Sequence, residues 1–269
     1  MARYQVTLAY DGTHFLGFQR QGKSRTVQVV VEAALRQLGW QGKTLLAAGR
    51  TDTGVHASGQ VIAFDLDWTH DLAALGRAMN ANLPQDVAVQ LVAVAADDFH
   101  PRFDARSRTY QYRVYCEPNR SPLHDRFAWR VWPAAALEKL QVAASLFEGT
   151  YDFAAFGTPP RVNGSTIRTV YRANWERLSG GLLFEITANA YLYHMVRRIV
   201  FLQVLAGQGH LDLAELKLGI EAAQPQTPGL APPQGLALTK VNYAASEQEL
   251  NGFRIIASGE DDRGKDLRH

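Results

Sequence analysis

Hydrophobic and polar side chains alternate near the start of the chain, where Tyr4, Val6, Leu8 and Tyr10 share one face of a predicted strand. Thr26 is a typical helix N-cap, and the apolar residues that follow it have helical spacing. In the first half these patterns predict strands over residues 3–10, 43–48, 60–64 and 87–94 and helices over residues 27–38 and 71–79. The order β-α-β-β-α-β is typical of the ferredoxin-like split motif.

A similar order of elements is predicted for the second half, although its sequence does not repeat the first. The predicted strands span residues 107–116, 166–178, 182–188 and 236–243, and the predicted helices span residues 134–147, 191–206 and 213–222. We therefore predict an α+β fold with two ferredoxin-like (RRM-like) halves, antiparallel sheets, helices on one face and a cleft between the halves. The predicted domains are residues 1–104, a basic second half over residues 105–245, and a charged tail over residues 246–269.

The composition excludes several classes of protein. The 269 residues are 46% hydrophobic and 20% charged, which is typical of a globular protein and excludes a disordered or collagen-like chain. The single cysteine, Cys116, excludes an internal disulfide and is expected to be a small apolar residue within a strand. The apolar stretch 191–206 contains His194, Arg197 and Arg198, so it does not match a bilayer span. We expect a cytoplasmic protein that does not contact a membrane.

Positive charge is concentrated in one part of the chain. The net charge is only +2, but residues 101–200 contain 14 Lys and Arg against 8 Asp and Glu. Four arginines there are interleaved with four aromatic residues: Arg102, Arg106, Arg108, Arg113, Phe103, Tyr110, Tyr112 and Tyr115. Arginines bind phosphates and aromatic rings stack on bases, so the pattern suggests a nucleic-acid surface. An ordinary exposed strand face in an arginine-rich protein would give the same pattern, and both interpretations stay open.

The polar loop between the strands predicted at 43–48 and 60–64 contains one carboxylate, Asp52. A single loop carboxylate usually caps a turn, but the surrounding glycines also allow a ligand to approach the backbone closely. The triplet from Asp52 to Gly54 resembles that of aspartic proteases, which need two such aspartates and hence a symmetric dimer here. The segment from Asp65 to Thr69 imitates an aspartyl-phosphate nucleophile, which would require magnesium. Neither a His-Glu-x-x-His motif nor a P-loop is present.

Seven segments in chain order point to one family. They are YDGTHFLGFQRQ (10–21), GRTDTGVH (49–56), NANLP (80–84), DFHPRF (98–103), RTYQY (108–112), YHMVRRIV (193–200) and APPQGL (231–236). The set resembles the motifs of TruA-type tRNA pseudouridine synthases. Any single segment would be weak evidence for the family, but together the segments span nearly the whole chain.

The resemblance implies an isomerase that converts uridine to pseudouridine in the tRNA anticodon stem-loop, at tRNA positions 38, 39 and 40. It implies that Asp52 is the catalytic nucleophile on a flipped-out uridine, and that Tyr110, Arg50 and Arg197 bind the substrate. It also implies a homodimer that binds tRNA, with no cofactor and no metal ion.

The residue types suit this reaction. An isomerisation consumes no energy carrier, and the departing uracil can carry negative charge itself, so one carboxylate can suffice. Asp52 would attack either C1′ or uracil C6, and Arg197 would favour its ionised form. Tyr110 can stack on the uracil or assist removal of the C5 proton, and Arg50 can fill the space that the flipped base leaves. His56 and His194 are expected to form structural hydrogen bonds. The alternatives are a non-catalytic RNA-binding protein with RRM-like halves and a phosphatase using Asp65.

Overall fold

The computed structural model describes residues 1–159, 161, 163–224 and 227–244. The strands are β1 (Ala2–Tyr10), β2 (Leu46–Ala47), β3 (His56–Leu66), β4 (Val87–Val94), β5 (Ser107–Tyr115), β6 (Trp129–Arg130), β7 (Gly149–Asp152), β8 (Ile167–Leu178), β9 (Gly181–Ala188) and β10 (Leu236–Asn242). The helices are α1 (Val27–Gln37), α2 (Leu72–Asn82), α3 (Leu137–Ser145), α4 (Met195–Gly207) and α5 (Leu213–Glu221). The predicted α+β class is confirmed. The predicted tail, 246–269, lies outside the described residues.

The described strands form one sheet, not the two that the sequence suggested. The strand order is β4-β1-β3-β10-β5-β9-β8-β7, with β2 beside β3 and β6 beside β5. The joint is a short parallel pairing of β10 with β3, in which Ala237 lies opposite His56 and Leu238 opposite Ala57. A Cβ on Gly59 would overlap the carbonyl oxygen of Thr239, so only glycine allows this approach. Pairing satisfies backbone groups that two separate sheet edges would leave exposed, which explains why the halves merge.

Alternation and helical spacing decide which side chains enter the core. In β1 the residues Tyr4, Val6, Leu8 and Tyr10 are buried while their neighbours are only half-buried, as the sequence predicts. Helix α1 buries Val27, Val31 and Leu35, each four residues after the last. In the second half, a cluster of buried aromatic rings packs among α3, α4 and the sheet: Phe147, Phe153, Phe156, Trp175 and Phe184. Each such ring stabilises the fold by about 1.5–3 kcal/mol through burial.

The long helix begins later than its apolar pattern predicts. We expected a helix from residue 191, but α4 starts at Met195. His194 has φ 67°, a left-handed conformation that no α-helix contains, and the backbone of Tyr193 pairs with that of Thr158. The apolar run that begins at Tyr191 indicates that these residues pack inside the protein. A short apolar run does not show whether a buried segment is extended or helical, so the predicted start was too early. None of the helices in the described ranges has the length and apolarity needed to cross a membrane.

Candidate active site

The loop that carries Asp52 is held by the segment that follows β1. The backbone N–H of Phe18 donates to the carbonyl of Thr51 at 3.1 Å, and the N–H of Gly54 donates to the carbonyl of Phe15 at 3.3 Å. Gly17 has φ 84°, and a Cβ there would lie 2.9 Å from the Thr51 carbonyl oxygen. A glycine is therefore needed where the two segments meet. These contacts join two of the segments that resemble the family, residues 10–21 and residues 49–56.

A second support for the loop is the buried hydroxyl of Tyr10, which lies 2.8 Å from the hydroxyl of Thr51. Gln60 donates to the carbonyl of Gly49 at 2.9 Å. Burial raises the pKa of Tyr10 to about 12, so this phenol keeps its proton and its hydrogen bond at neutral pH. The loop is thus fixed on both sides of Asp52.

Asp52 forms an ion pair with Arg197 of α4. Nη1 of Arg197 donates to Oδ2 of Asp52 at 3.2 Å, and the two side chains are 12% and 15% exposed. Nε of Arg197 donates to the carbonyl of Ala231 at 2.8 Å, which fixes the guanidinium. A carboxylate that is largely removed from water is stable as an anion only beside such a partner. The two residues that the family resemblance selected are therefore brought together.

His194 also lies at the carboxylate, where the sequence suggested only a structural role. Its Nε2 atom is 3.6 Å from Oδ2 of Asp52. Burial lowers the pKa of His194, an effect that Asp52 opposes and Arg197 reinforces. His56, by contrast, contacts the segment after β1: its Nδ1 accepts a hydrogen bond from the N–H of Gly12 at 3.0 Å, and burial lowers its pKa.

Tyr110 lies on the central strand β5 with its ring edge-on to Tyr191, at 5.0 Å between centroids. Burial raises the pKa of Tyr110 well above its usual value, and the Asp52 charge contributes in the same direction. Within the part of the chain that the structure describes, no hydrogen bond contributes to this shift. The phenol is consequently a neutral group free to bind a ligand.

A cavity of about 730 Å³ unites these residues. The first half contributes Arg50 and Asp52, and the second contributes Tyr110, His194 and Arg197. The volume lies within the range of about 300–1,000 Å³ that is usual for small-molecule sites, so a whole nucleotide can enter.

The mouth of the cavity is positively charged and aromatic. Arg50 is exposed there, and burial together with the charges of Arg50 and Arg161 lowers the pKa of Arg102. The rings of Phe103 and Tyr193, which line the same cavity, are 69% and 57% exposed. Arginines and open ring faces at one opening suit a polyanion that carries bases.

The interleaved arginines and aromatics of the sequence are only partly an RNA surface. Arg108 is buried, and its guanidinium donates to the carbonyls of Ala48, Arg102 and Asn189. Tyr112 and Tyr115 are core residues. The interpretation as a continuous nucleic-acid face is therefore wrong for these three residues, because the central strand β5 is buried on both of its faces.

Asp65 lies at the opposite end of β3 from the Asp52 loop. Both of its carboxylate oxygens accept from Arg3, at 2.7 and 2.8 Å. The antiparallel pairing of β1 with β3 places the two side chains opposite each other. This carboxylate is already bound, and it does not line the cavity.

The fold thus places an arginine-paired carboxylate in a cavity large enough for a nucleotide. The family model described as tRNA pseudouridine synthase matches residues 7–104 and 143–244. The tRNA pseudouridine synthase A of Pseudothermotoga lettingae is 38% identical over 245 residues, covering 90% of this chain and all of that protein. The tRNA pseudouridine synthase A of Neisseria meningitidis serogroup C is 37% identical over 243 residues, covering 90% of this chain and 92% of that protein.

A solved structure of a Cbf5-Nop10-Gar1 complex aligns with a TM-score of 0.38 at 12% identity, over 96% of this chain and 57% of that chain. The present chain belongs to the tRNA pseudouridine synthase family. It is an isomerase that forms pseudouridine, and the family resemblance of the sequence is confirmed.

Proposed function

We propose that this isomerase acts on uridines in the anticodon stem-loop of tRNA and that Asp52 is its nucleophile. The observation that carries the proposal is the ion pair of Asp52 with Arg197 inside a cavity of about 730 Å³. The relatives are named as tRNA enzymes, and the resemblance of the sequence supports the anticodon stem-loop.

The chemistry follows from the ionised carboxylate. A lone pair of Asp52 forms a bond either to C1′, with the C1′–N1 electron pair leaving on uracil, or to C6, with the C5–C6 π electrons moving onto the ring. In either route the C1′–N1 bond breaks, the uracil turns within the cavity and bonds to C1′ through C5, and the C–O bond to Asp52 breaks so that the carboxylate is regenerated. C5 loses its proton to solvent or a neighbouring base, and N1 takes up a proton. The atoms of substrate and product are the same, so we propose that no cofactor or metal ion takes part.

Tyr110 and Arg50 would bind the substrate. The neutral phenol of Tyr110 lines the cavity and can stack on the uracil or help to remove the C5 proton. Arg50 is exposed at the mouth, where it can occupy the gap left in the RNA stem and bind a phosphate. Phosphate binding by Arg50 and Arg102 would make the affinity depend on salt.

We further propose that the protein consists of two ferredoxin-like halves, residues 1–104 and 105–245, followed by the tail 246–269. The antiparallel orders β4-β1-β3-β2 and β10-β5-β9-β8 support it, since each is the order of one split motif. By resemblance we propose a cytoplasmic homodimer. Light scattering at micromolar concentration should give twice the chain mass of 29.8 kDa, and a monomer would contradict the dimer.

Tritium release from tRNA labelled at uridine C5 tests the proposal. We expect release by the wild type in the presence of a chelator and none by Asp52→Asn, although that variant still binds tRNA. Asp67→Asn, which removes the same charge at an exposed position, should keep full activity. Turnover by Asp52→Asn would exclude Asp52 as the nucleophile, and tRNA binding without turnover by the wild type would favour an RNA-binding protein. Label release from a tRNA without uridines at positions 38, 39 and 40 would exclude the proposed target.

A further inference from the structure

The two cationic or donor groups nearest Asp52 approach the same oxygen. Nη1 of Arg197 lies 3.2 Å from Oδ2, and Nε2 of His194 lies 3.6 Å from Oδ2. Within the described part of the chain, Oδ1 accepts no side-chain hydrogen bond. The carboxylate therefore has one anchored oxygen and one free oxygen.

His194 reaches this position through an uncommon backbone conformation. Its φ of 67° and ψ of −1° place it in the left-handed region, which non-glycine residues rarely adopt. The turn ends the extended segment before it and begins α4 at the next residue, so that His194 and Arg197 lie near the start of one helix. The backbone of Tyr193 is held by Thr158, at 2.9 and 3.3 Å, and the ring of Tyr193 lies 3.7 Å from that of His194.

The imidazole of His194 can donate one hydrogen bond to Asp52 without adding a second positive charge beside Arg197. Burial and the neighbouring guanidinium lower the pKa of His194, although Asp52 opposes them, so the ring is mainly neutral at neutral pH. A neutral imidazole has one N–H, and the carboxylate beside Nε2 selects the tautomer that carries the proton there. A separation of 3.6 Å is longer than a hydrogen bond, and such contacts commonly shorten when the substrate binds.

We propose that His194 is a positioning residue that, with Arg197, holds Oδ2 of Asp52 and thereby presents Oδ1 to the uridine. This inference rests on the proposed role of Asp52 as the nucleophile. Oδ1 supplies the electron pair of the new C–O bond, whether the attacked carbon is C1′ or C6, and His194 exchanges no proton with the substrate.

The test uses variants that tolerate a left-handed backbone. His194→Gly keeps the backbone and removes the ring, whereas His194→Asn keeps a short donor. We expect His194→Gly to lower kcat for tritium release by about 10- to 100-fold, with tRNA Kd and Tm little changed. Added imidazole should restore part of kcat, because the His194 side chain is 36% exposed and the site is open to solvent. His194→Asn should retain more activity than His194→Gly.

Ala223→Gly is the matched control, since Ala223 also has a positive φ, of 50°, outside the cavity. It should leave kcat unchanged. If His194→Gly instead raises Kd with an unchanged kcat, or changes neither, the positioning role is overturned. If the glycine variant folds poorly, His194→Asn still decides the question: a lowered kcat with unchanged tRNA Kd supports the positioning role, and an unchanged kcat overturns it.

A tRNA with 5-fluorouridine at the target separates positioning from proton transfer. Fluorine cannot leave C5 as a proton, so the reaction stops after the nucleophile has attacked. Slower adduct formation by His194→Gly supports the positioning role. Adduct formation at the wild-type rate would indicate that His194 acts only later, in removal of the C5 proton, and would overturn the positioning role. In a crystal structure of the adduct, the bond should involve the oxygen that faces away from His194 and Arg197. An inactive wild type, or an active Asp52→Asn variant, would instead refute the proposed function itself.

Discussion

Arg108 is bonded to Ala48, the residue that begins the Asp52 loop: Nε and Nη2 of the arginine donate to the Ala48 carbonyl at 3.1 and 3.0 Å. Nη1 donates to the carbonyl of Asn189 at 3.0 Å, and Nη2 also donates to that of Arg102. One buried cation of the second half thus ties the Asp52 loop to Asn189 of its own half and to Arg102, near the end of the first half. Burial lowers the pKa of Arg108, but the guanidinium keeps its charge at neutral pH.

Arg108→Met should therefore damage stability and not RNA contact. Three carbonyl groups lose a donor in a buried setting, which costs about 3 kcal/mol of unfolding free energy in total. Urea unfolding monitored by tryptophan fluorescence measures this loss. Arg106→Met, at an exposed position two residues earlier, should change stability by less than about 0.5 kcal/mol. The salt dependence of tRNA binding should not change in Arg108→Met, and a lower slope would mean that Arg108 contacts phosphate after all.

Arg197→Met should lower kcat by about 100-fold or more, because Asp52 would lose the partner that fixes its oxygen. Arg197→Lys keeps the charge but cannot donate to both Asp52 and the Ala231 carbonyl as the guanidinium does, so an intermediate kcat is expected. Single-turnover tritium release measures both variants. Arg172→Met, which removes an exposed arginine on β8, should match the wild type. An active Arg197→Met variant would show that the ion pair is not required for attack.

Tyr110→Phe separates stacking from proton transfer. If the phenol hydroxyl takes part in removing the C5 proton, kcat should fall by about 100-fold while tRNA Kd stays the same. Tyr171→Phe, which alters an exposed ring on β8, provides the control. Unchanged kinetics in Tyr110→Phe would restrict Tyr110 to stacking on the uracil.

Arg50→Gln should weaken tRNA binding through lost phosphate contact. The slope of log K against log salt should become less steep by about 0.7–0.9 if one contact is lost. Arg36→Gln removes the same charge from a side chain that already faces Glu32 and the ring of Trp40, so its slope should equal that of the wild type. Filter binding between 50 and 200 mM salt provides the measurement. A slope that does not change in Arg50→Gln would exclude a phosphate contact.

The protein should lose stability in alkaline solution because several buried tyrosines resist ionisation. Burial raises the pKa of Tyr10 to about 12 and also raises that of Tyr110, while unfolded tyrosine titrates near 10. Below pH 10 both states hold these protons, so the full stability is present. Above pH 10 only the unfolded state releases them, and stability falls as the pH rises through the folded values, by about 1.4 kcal/mol per pH unit for each group.

Thermal unfolding between pH 8 and 11.5 checks this, with phenolate absorbance at 295 nm recorded in parallel. Tyr10→Phe should show a shallower decline than the wild type. A phenolate signal from every tyrosine in the folded protein at pH 10.5 would contradict the buried assignments.

Local sequence patterns determined most of the elements. Residues 87–94 were predicted as a strand and are β4, and the alternation in β1 gives its buried face. Such patterns are reliable because side chains repeat every two residues in a strand and every 3.6 in a helix, whatever the rest of the chain does. The ordered segments around Asp52, Tyr110 and Arg197 likewise indicate the family without reference to any contact.

The tertiary structure alone decided which of these residues meet. Asp52 and Arg197 are 145 positions apart, and nothing local in either segment indicates the other. Arg50 and Arg108 both belong to segments that resemble the family. Arg50 is exposed at the cavity mouth, whereas Arg108 is buried under the loop. The left-handed turn at His194 and the pairing of β3 with β10 were also not predictable. These features depend on packing and backbone hydrogen bonding between distant segments, which no short sequence window contains.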